Sequence, residues 1–306
     1  MIVILGPTAC GKTNVATHLA ARIGAEIISA DSRQVYRRMD IGTGKDLDEY
    51  NVDAIQVPYH LIDVCEPGEK YNLFEYQRDF LTAYQDIIAR QHKVVMCGGT
   101  GLYIEAVVRG YQLSEVPQNP ELRKQLEPLS LSQLTAMLAE MKEQLGENMH
   151  NTTDVDTAQR AIRAIEIADY QLRQGAPTRS FPQIPSVIVG LDIPREVRRQ
   201  RISERLRKRL DEGMVDEIRN IIQSGVKAED LMYYGLEYKY VTQYVIGQCS
   251  YEEMYSKLEI AIHQFAKRQM TWFRGMERRG IYIHWVNAMQ PLDDILTQIL
   301  NITTDN

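Results

Sequence analysis

Residues 2–13 read Ile-Val-Ile-Leu-Gly-Pro-Thr-Ala-Cys-Gly-Lys-Thr. Ile2–Leu5 is an apolar run of strand length, Gly6–Thr13 fits the pattern G-x-x-x-x-G-K-[ST], and Val15, Leu19, Ala20 and Ile23 follow at helical spacing. A strand before and a helix after are the context in which this pattern holds phosphate. The glycines let backbone N–H groups converge on an anion, and the helix N-terminus adds positive potential. Gly6, Pro7, Thr8, Ala9, Cys10, Gly11, Lys12 and Thr13 are therefore expected to cradle a polyphosphate. Lys12 is expected on a terminal phosphate, and the Thr13 hydroxyl on Mg²⁺.

The chain has 306 residues, 44% of them apolar, enough for one large α/β domain or a domain with an insertion. Its net charge is −6, so a nucleic-acid partner requires a local basic face. Cys10, Cys65, Cys97 and Cys249 are scattered without C-x-x-C spacing, which points to a reducing compartment and away from a zinc site. The chain starts in its first strand, and no apolar run approaches the ~18–20 residues of a bilayer span. A cytoplasmic protein without membrane association is expected.

Working outward, strand patterns occur at 2–5, 25–29, 60–64 and 94–97, with a helix over 73–90. This alternation implies a parallel sheet with helices on both faces. The pattern breaks near Leu113, and Pro117, Pro120, Pro128, Pro177, Pro182 and Pro185 mark the joints of several helices. A strand at 187–191 resumes the α/β pattern. Helices over 194–212, 214–224 and 251–276, a strand at 281–285 and a short terminal helix complete it. The expected fold is α/β. A P-loop NTPase-like core (1–113 and 187–306) carries a mostly parallel sheet flanked by helices, and 114–186 is a helical insertion subdomain.

Chemistry-bearing residues cluster at the expected strand ends. P-loop ATPases carry an Asp at the end of a core strand. Here the 94–97 strand runs instead into Gly98-Gly99-Thr100-Gly101, which permits close backbone approach and offers one hydroxyl. A tight turn ahead of a helix uses the same residues. Asp31-Ser32-Arg33-Gln34 follows the 25–29 strand, where Asp31 suits a general base or metal ligand and equally a helix cap. Asp63 is a weaker second carboxylate, more readily structural.

Basic runs stand out from the acidic whole. Residues 156–210 carry 12 Lys or Arg against 6 Asp or Glu, and 267–279 carry 5 against 1. Arg198, Arg201 and Arg205 share a helical face, with Arg201 and Arg205 one turn apart and suited to a pyrophosphate. A solvated basic stripe has the same spacing. In Lys267-Arg268-Gln269-Met270-Thr271-Trp272-Phe273-Arg274, the cations suit an RNA backbone, and Trp272 and Phe273 are expected in the core.

Together these blocks resemble the bacterial tRNA dimethylallyltransferase (tRNA isopentenyltransferase) family. The matching segments are Gly6–Thr13, Asp31–Tyr36 running on to Lys45, His60–Asp63, Gly98–Tyr103, Gln159–Arg163, Arg201–Arg205 and Lys267–Arg274. They stand in the family's order along nearly the whole chain. The resemblance implies transfer of a dimethylallyl group from dimethylallyl diphosphate to N6 of the adenine 3′ to the tRNA anticodon. It makes Asp31 the general base, sets Thr100 near the reacting groups, and gives Lys12, Arg205 and Mg²⁺ the leaving diphosphate. It assigns tRNA contacts to Asp31, Ser32, Arg33, Gln34, Thr100, Arg123, Gln159, Arg160, Ala161, Ile162 and Arg163. Lys267, Arg268, Gln269, Met270, Thr271, Trp272, Phe273 and Arg274 are assigned likewise. The insertion would grip the anticodon stem-loop, and the enzyme would act as a monomer.

The chain departs from the family at Cys10 (usually Ser), at Gly44-Lys45-Asp46 (usually Ala-Lys-Pro) and at Tyr233–Lys239. No zinc finger follows the last long helix. Competing readings are prenylation of free adenine nucleotides, a small-molecule P-loop kinase, and a non-catalytic RNA-binding protein. The first two share the phosphate loop, and the last leaves Asp31 without a task.

Overall fold

The computed structural model describes residues 1–113, 115–146, 155–175 and 180–304. Ser114, the expected first residue of the insertion, and Pro177, one of its expected joints, lie outside the described residues. The chain divides into two compact units, Met1–Arg109 with Gln183–Asn306, and Gly110–Pro182.

In the larger unit the order begins β1 (Ile2–Leu5), α1 (Lys12–Ile23), β2 (Ala25–Ser29), a 3₁₀ turn (Leu47–Tyr50), β3 (Asn51–Val52), β4 (Ile55–Gln56) and β5 (Tyr59–His60). It goes on with α2 (Leu73–Ala89), β6 (Lys93–Gly98) and α3 (Gly101–Val108). The smaller unit holds α4 (Pro120–Leu126), α5 (Leu131–Gln144) and α6 (Ala158–Gln174). The chain then adds β7 (Val187–Asp192), α7 (Arg195–Asp211), α8 (Met214–Gln223), α9 (Ala228–Leu231), α10 (Leu236–Val245), α11 (Tyr251–Arg278), β8 (His284–Asn287) and α12 (Leu292–Thr304) to the larger unit.

Six strands form one sheet in the order β5-β2-β6-β1-β7-β8, every pair parallel. β1 lies between β6 and β7, with Leu5 level with both Gly98 and Gly190. The connection from β1 runs to β2 and that from β6 runs to β7, in opposite directions, so a crevice opens at the carboxyl ends of β1 and β6. The phosphate loop, Asp31 and the Gly98–Gly101 turn all leave the sheet at that edge.

Near-continuous apolar strands are buried on both faces, as a parallel sheet requires. One core joins β1, α1, β2, β7 and α12 through Ile4, Leu19, Ile27, Val189 and Ile299. Another joins Tyr36 to α7, α8, α10 and α11 through Leu206, Ile218, Val241 and Leu258. The smaller unit has its own core of Leu126, Leu134, Leu138, Ala161 and Ile165.

Two expected strands are corrected. The 60–64 strand stops at His60 because Leu61 and Asp63 take φ of 61° and 57°. The N–H groups of Asp63, Val64 and Cys65 turn instead to the Gln34 and Val35 carbonyls. The 281–285 strand begins only at His284, where the chain first meets β7 at Val189. Short elements such as the β3–β4 hairpin and α10 carry too few periodic residues to stand out in the sequence.

Candidate active site

The phosphate loop leaves β1 with Ala9 and Gly11 both in the left-handed region, at φ 63° and 87°. Successive turns of this kind aim backbone N–H groups into one concavity. Gly11 precedes α1 and no side chain caps that helix, so its first N–H groups face the loop. Thr8 and Lys12 line a cavity of about 430 Å³. Cys10 points away into the core, at 2% exposure.

Backbone contact between the ends of β2 and β6 builds the opposite wall. A Cβ on Gly98 would lie 2.2 Å from the Ala30 carbonyl oxygen, so only glycine fits there. The Ala30 N–H donates to Cys97 O at 2.7 Å, and the Thr100 N–H donates to Ala30 O at 3.1 Å. The Thr100 hydroxyl accepts from the Ser32 N–H at 3.0 Å. Asp31 Oδ1 accepts from the Arg33 N–H at 2.9 Å, which fixes the carboxylate, and its other oxygen has no partner among the described residues. Asp31, Ser32, Arg33, Thr100, Gly101 and Leu102 all line the cavity.

Gln269 ties the two walls together. Its Oε1 accepts from the Thr8 N–H at 2.8 Å and its Nε2 donates to Gly99 O at 3.0 Å. At 7% exposure it braces the loop while also lining the cavity.

Arg205 donates to the Thr8 hydroxyl and lines the cavity. Burial, then the nearby Arg209, push its pKa down to about 10, so it remains cationic at neutral pH. Arg201 does not accompany it. It lies one turn nearer the start of α7, and its guanidinium contacts Met289 Sδ at 3.8 Å. Its expected place is taken by Arg209, which lines the cavity at 6% exposure and lies 3.5 Å from Asp46. Gly44 makes this possible, because a Cβ there would lie 1.5 Å from the Arg209 guanidinium. The i, i+4 spacing from Arg205 together with the departure at Gly44 was the available signal.

The atypical 233–239 segment also reaches the site, since Tyr234, Gly235, Leu236, Glu237 and Tyr238 line the cavity. Tyr238 donates to Glu217 at 2.6 Å, and Glu217 accepts the N–H groups of Asp40, Ile41 and Gly42 at 2.8, 2.7 and 3.1 Å. This pins the loop that carries Gly42 and Thr43 into the lining. Asp63 is structural: it pairs with Lys45, which is 1% exposed and also holds Asp40. Glu49 is a further residue that the sequence did not mark. Its Oε2 is buried without a partner. Burial and then Asp46 raise its pKa, against the pull of Lys12 and Arg205.

On α11 the eight-residue block divides by helical face. Phe273 at 0% and Met270 at 8% pack into the core. Lys267, Arg268, Thr271 and Arg274 are exposed. Trp272 is not in the core as expected; at 36% exposure its ring covers Gly101 and lines the cavity. Arg33 lines the cavity too and donates to Tyr233 O at 3.3 Å. Gln34 does not line it, because it bonds Ser29 and the Gly44 carbonyl at 3.1 and 3.0 Å.

Within the smaller unit, Ala161 at 0% and Ile162 at 8% likewise pack into the core. Arg123 forks onto Glu166 at 2.8 and 2.7 Å, and Arg163 reaches the same carboxylate at 3.1 Å. Burial works to raise the Glu166 pKa, but the bonds from Arg123, the Asn119 N–H and Arg163 overcome it and leave it below the usual range. Gln159 and Arg160 remain exposed.

Mg²⁺ takes one or two protein oxygens and fills its octahedron with substrate phosphates and water. Among the described residues no three His, Cys, Asp or Glu groups gather as a metal cage. Thr13, in the first turn of α1, would offer its hydroxyl to a metal shared with a diphosphate.

A family model described as IPP transferase matches residues 34–276, and one described as Isopentenyl transferase matches residues 1–57. The chain is 60% identical over 302 residues to a tRNA dimethylallyltransferase 1 from Parabacteroides distasonis, covering 99% of this chain and 97% of that one. It is 57% identical over 306 residues to a tRNA dimethylallyltransferase 1 from Porphyromonas gingivalis, covering 100% of each. Among solved structures, the tRNA isopentenylpyrophosphate transferase of Bacillus halodurans superposes with a TM-score of 0.71 at 30% identity, covering 99% of this chain and 95% of that one. A eukaryotic dimethylallyltransferase acting on tRNA superposes at 0.76 with 20% identity, over 97% and 76% of the two chains, a likeness of fold.

Proposed function

The chain belongs to the IPP transferase family of tRNA prenyltransferases, and from that premise we propose that it moves the dimethylallyl group of dimethylallyl diphosphate to N6 of the adenine 3′ to the tRNA anticodon. The observation that carries this reading is one cavity lined at once by Asp31 and by Thr8, Lys12 and Arg205. A proton acceptor and an anion cradle therefore face the same small space.

The N6 lone pair attacks the allylic carbon as its bond to the diphosphate oxygen breaks. N6 is a weak nucleophile because its lone pair is delocalised, so the step needs an oriented base and a stabilised leaving group. Asp31 Oδ1 is held by the Arg33 N–H, and the free oxygen takes the N6 proton. The leaving diphosphate collects the loop N–H groups, Lys12 and Arg205, donors already aimed at the charge that develops. When bound, Mg²⁺ held by Thr13 would neutralise part of that charge. Trp272 at the cavity wall offers a stacking face to the adenine drawn out of its loop. The exposed Gln159 and Arg160 suit the anticodon stem-loop. The enzyme acts as a monomer in the cytoplasm, and among the described residues no helix is long and apolar enough to cross a membrane.

The test is incubation with Mg²⁺, dimethylallyl diphosphate and tRNA, followed by mass spectrometry of the nucleosides. A dimethylallyl mass gain on adenosine is expected. ATP consumption without that gain assigns the loop to a kinase and overturns the reading.

A further inference from the structure

A second cavity, of about 530 Å³, lies between the end of β7, the first turns of α7, and α11. Five cationic side chains line it: Arg195, Arg198 and Arg199 from α7 with Lys267 and Arg274 from α11. Asp192 is the one carboxylate in the lining, and it acts on Arg198. Among the described residues none of these cations forms an ion pair, whereas Arg22, Arg37, Arg38, Arg78, Arg90 and Arg219 each do. Like charges gathered in a concavity repel, and the arrangement is favourable once an anion enters.

Two further observations point the same way. His263 lines the cavity with Nδ1 buried and unpartnered, while its Nε2 lies 3.4 Å from the Ser203 hydroxyl. α7 begins after Pro194 without a side-chain cap, so its first N–H groups add positive potential.

The cavity shares no lining residue with the reaction pocket, but a surface groove lies between the two. A shallow groove over α11 shares Lys267 and Thr271 with the basic cavity, and Arg268 and Trp272 with the reaction pocket. From Lys267 to Arg274 the cations extend roughly 10 Å along α11 at 1.5 Å per residue. A nucleic-acid strand carries one charge per ~3.4 Å of rise, so successive phosphates match this length better than one diphosphate does.

We propose that the cavity between α7 and α11 binds backbone phosphates of the RNA strand that delivers the adenine, with the strand crossing α11 over Trp272 and Thr271. Arg195, Arg198, Arg199 and His263 thereby join the RNA-binding surface. The inference rests on the tRNA reading above.

The test measures binding of a fluorescent anticodon stem-loop RNA to the full chain by anisotropy between roughly 50 and 200 mM salt. Arg198→Ala/Arg199→Ala is expected to weaken binding about 10-fold and to flatten the log–log salt slope by about 1–2, with the KM for dimethylallyl diphosphate within about 2-fold of wild type. Arg198→Lys/Arg199→Lys, which keeps the charge, restores most of the slope and so separates charge from a folding defect. Arg22→Ala/Lys93→Ala removes equal charge at the far edge of the sheet and leaves the slope near wild type. A slope for the double alanine variant that matches this control overturns the proposal. So does a raised KM for dimethylallyl diphosphate with RNA binding intact, which gives the cavity to a small diphosphate. Wild-type protein that shows the salt effect but transfers no prenyl group keeps the cavity and removes the reaction.

Discussion

The two edges of the same parallel sheet treat charge in opposite ways. At the amino edge Glu26, 2% exposed, accepts from Arg90 at 2.9 Å, from His60 at 2.7 Å and from His92 at 2.6 Å. At the carboxyl edge, among the described residues, Lys12 pairs with no carboxylate, Arg205 donates to a hydroxyl, and Asp31 keeps one oxygen free. A charge whose partners are all supplied by the chain holds the fold together. A charge left open at the mouth of a cavity is available to a ligand. The rule extends to α6, where Arg163 pairs with Glu166, and to α7, where Arg198 and Arg199 have no such partner among the described residues.

If the carboxyl edge is the chemical one, Asp31→Asn has the largest effect. Asparagine keeps the oxygen that accepts from Arg33 and loses the base. Turnover is expected to fall about 10³-fold with the melting temperature unchanged, as single-turnover kinetics and thermal denaturation will record. Near-normal turnover would remove Asp31 as the base. Arg205→Ala comes next: kcat falls roughly 10²-fold or more as the leaving group loses a donor, and Arg205→Lys recovers part of it. A change confined to KM would make Arg205 a binding group only.

The amino edge is expected to respond in stability alone. Glu26→Gln destabilises by about 2 kcal/mol in denaturant titration, while kcat of the folded enzyme is retained. The bond from Arg90 leads the effects that bring Glu26 down to about 2, outweighing burial, with His60 and His92 adding to it. A depressed carboxyl pKa gives stability that is complete above its unfolded value and is lost as pH falls toward about 2. Wild type is therefore expected to lose stability between roughly pH 5 and 2, and Glu26→Gln to show less of that loss. Equal acid sensitivity in both proteins would assign the transition to other carboxyls.

Arg209 probes the boundary between the two kinds of charge, being cavity-lining yet only 3.5 Å from Asp46. Arg209→Ala is expected to raise the KM for dimethylallyl diphosphate about 10-fold, near 1.4 kcal/mol, with kcat nearly kept. Gly44→Ala should produce the same phenotype, because its Cβ would occupy the guanidinium's place. An unchanged KM in both would leave Arg209 with Asp46 as a structural pair.

Much of this site was legible in the chain because its marks are local. The strand, loop and helix of residues 2–23 and the turns after β2 and β6 are written in consecutive residues, and they located Lys12, Asp31 and Thr100. Arg205 was legible from helical spacing. The same spacing misled at Arg201, since a shared helix face does not say how far along the helix a pocket extends. Ala161, Ile162, Met270 and Phe273 came with their blocks, and only burial distinguishes them from their exposed neighbours.

By itself, then, the sequence determined the α/β class, the anion loop and the base candidate, because hydrogen-bonding pattern and hydrophobic period act over a few residues. The tertiary structure decided which charges are spent and which are open. Gln269 meets Thr8 and Gly99 across 261 and 170 residues of chain, and Arg209 meets Asp46 across 163. Partnership and burial at such separations depend on how whole elements pack, and no local pattern in the chain records them.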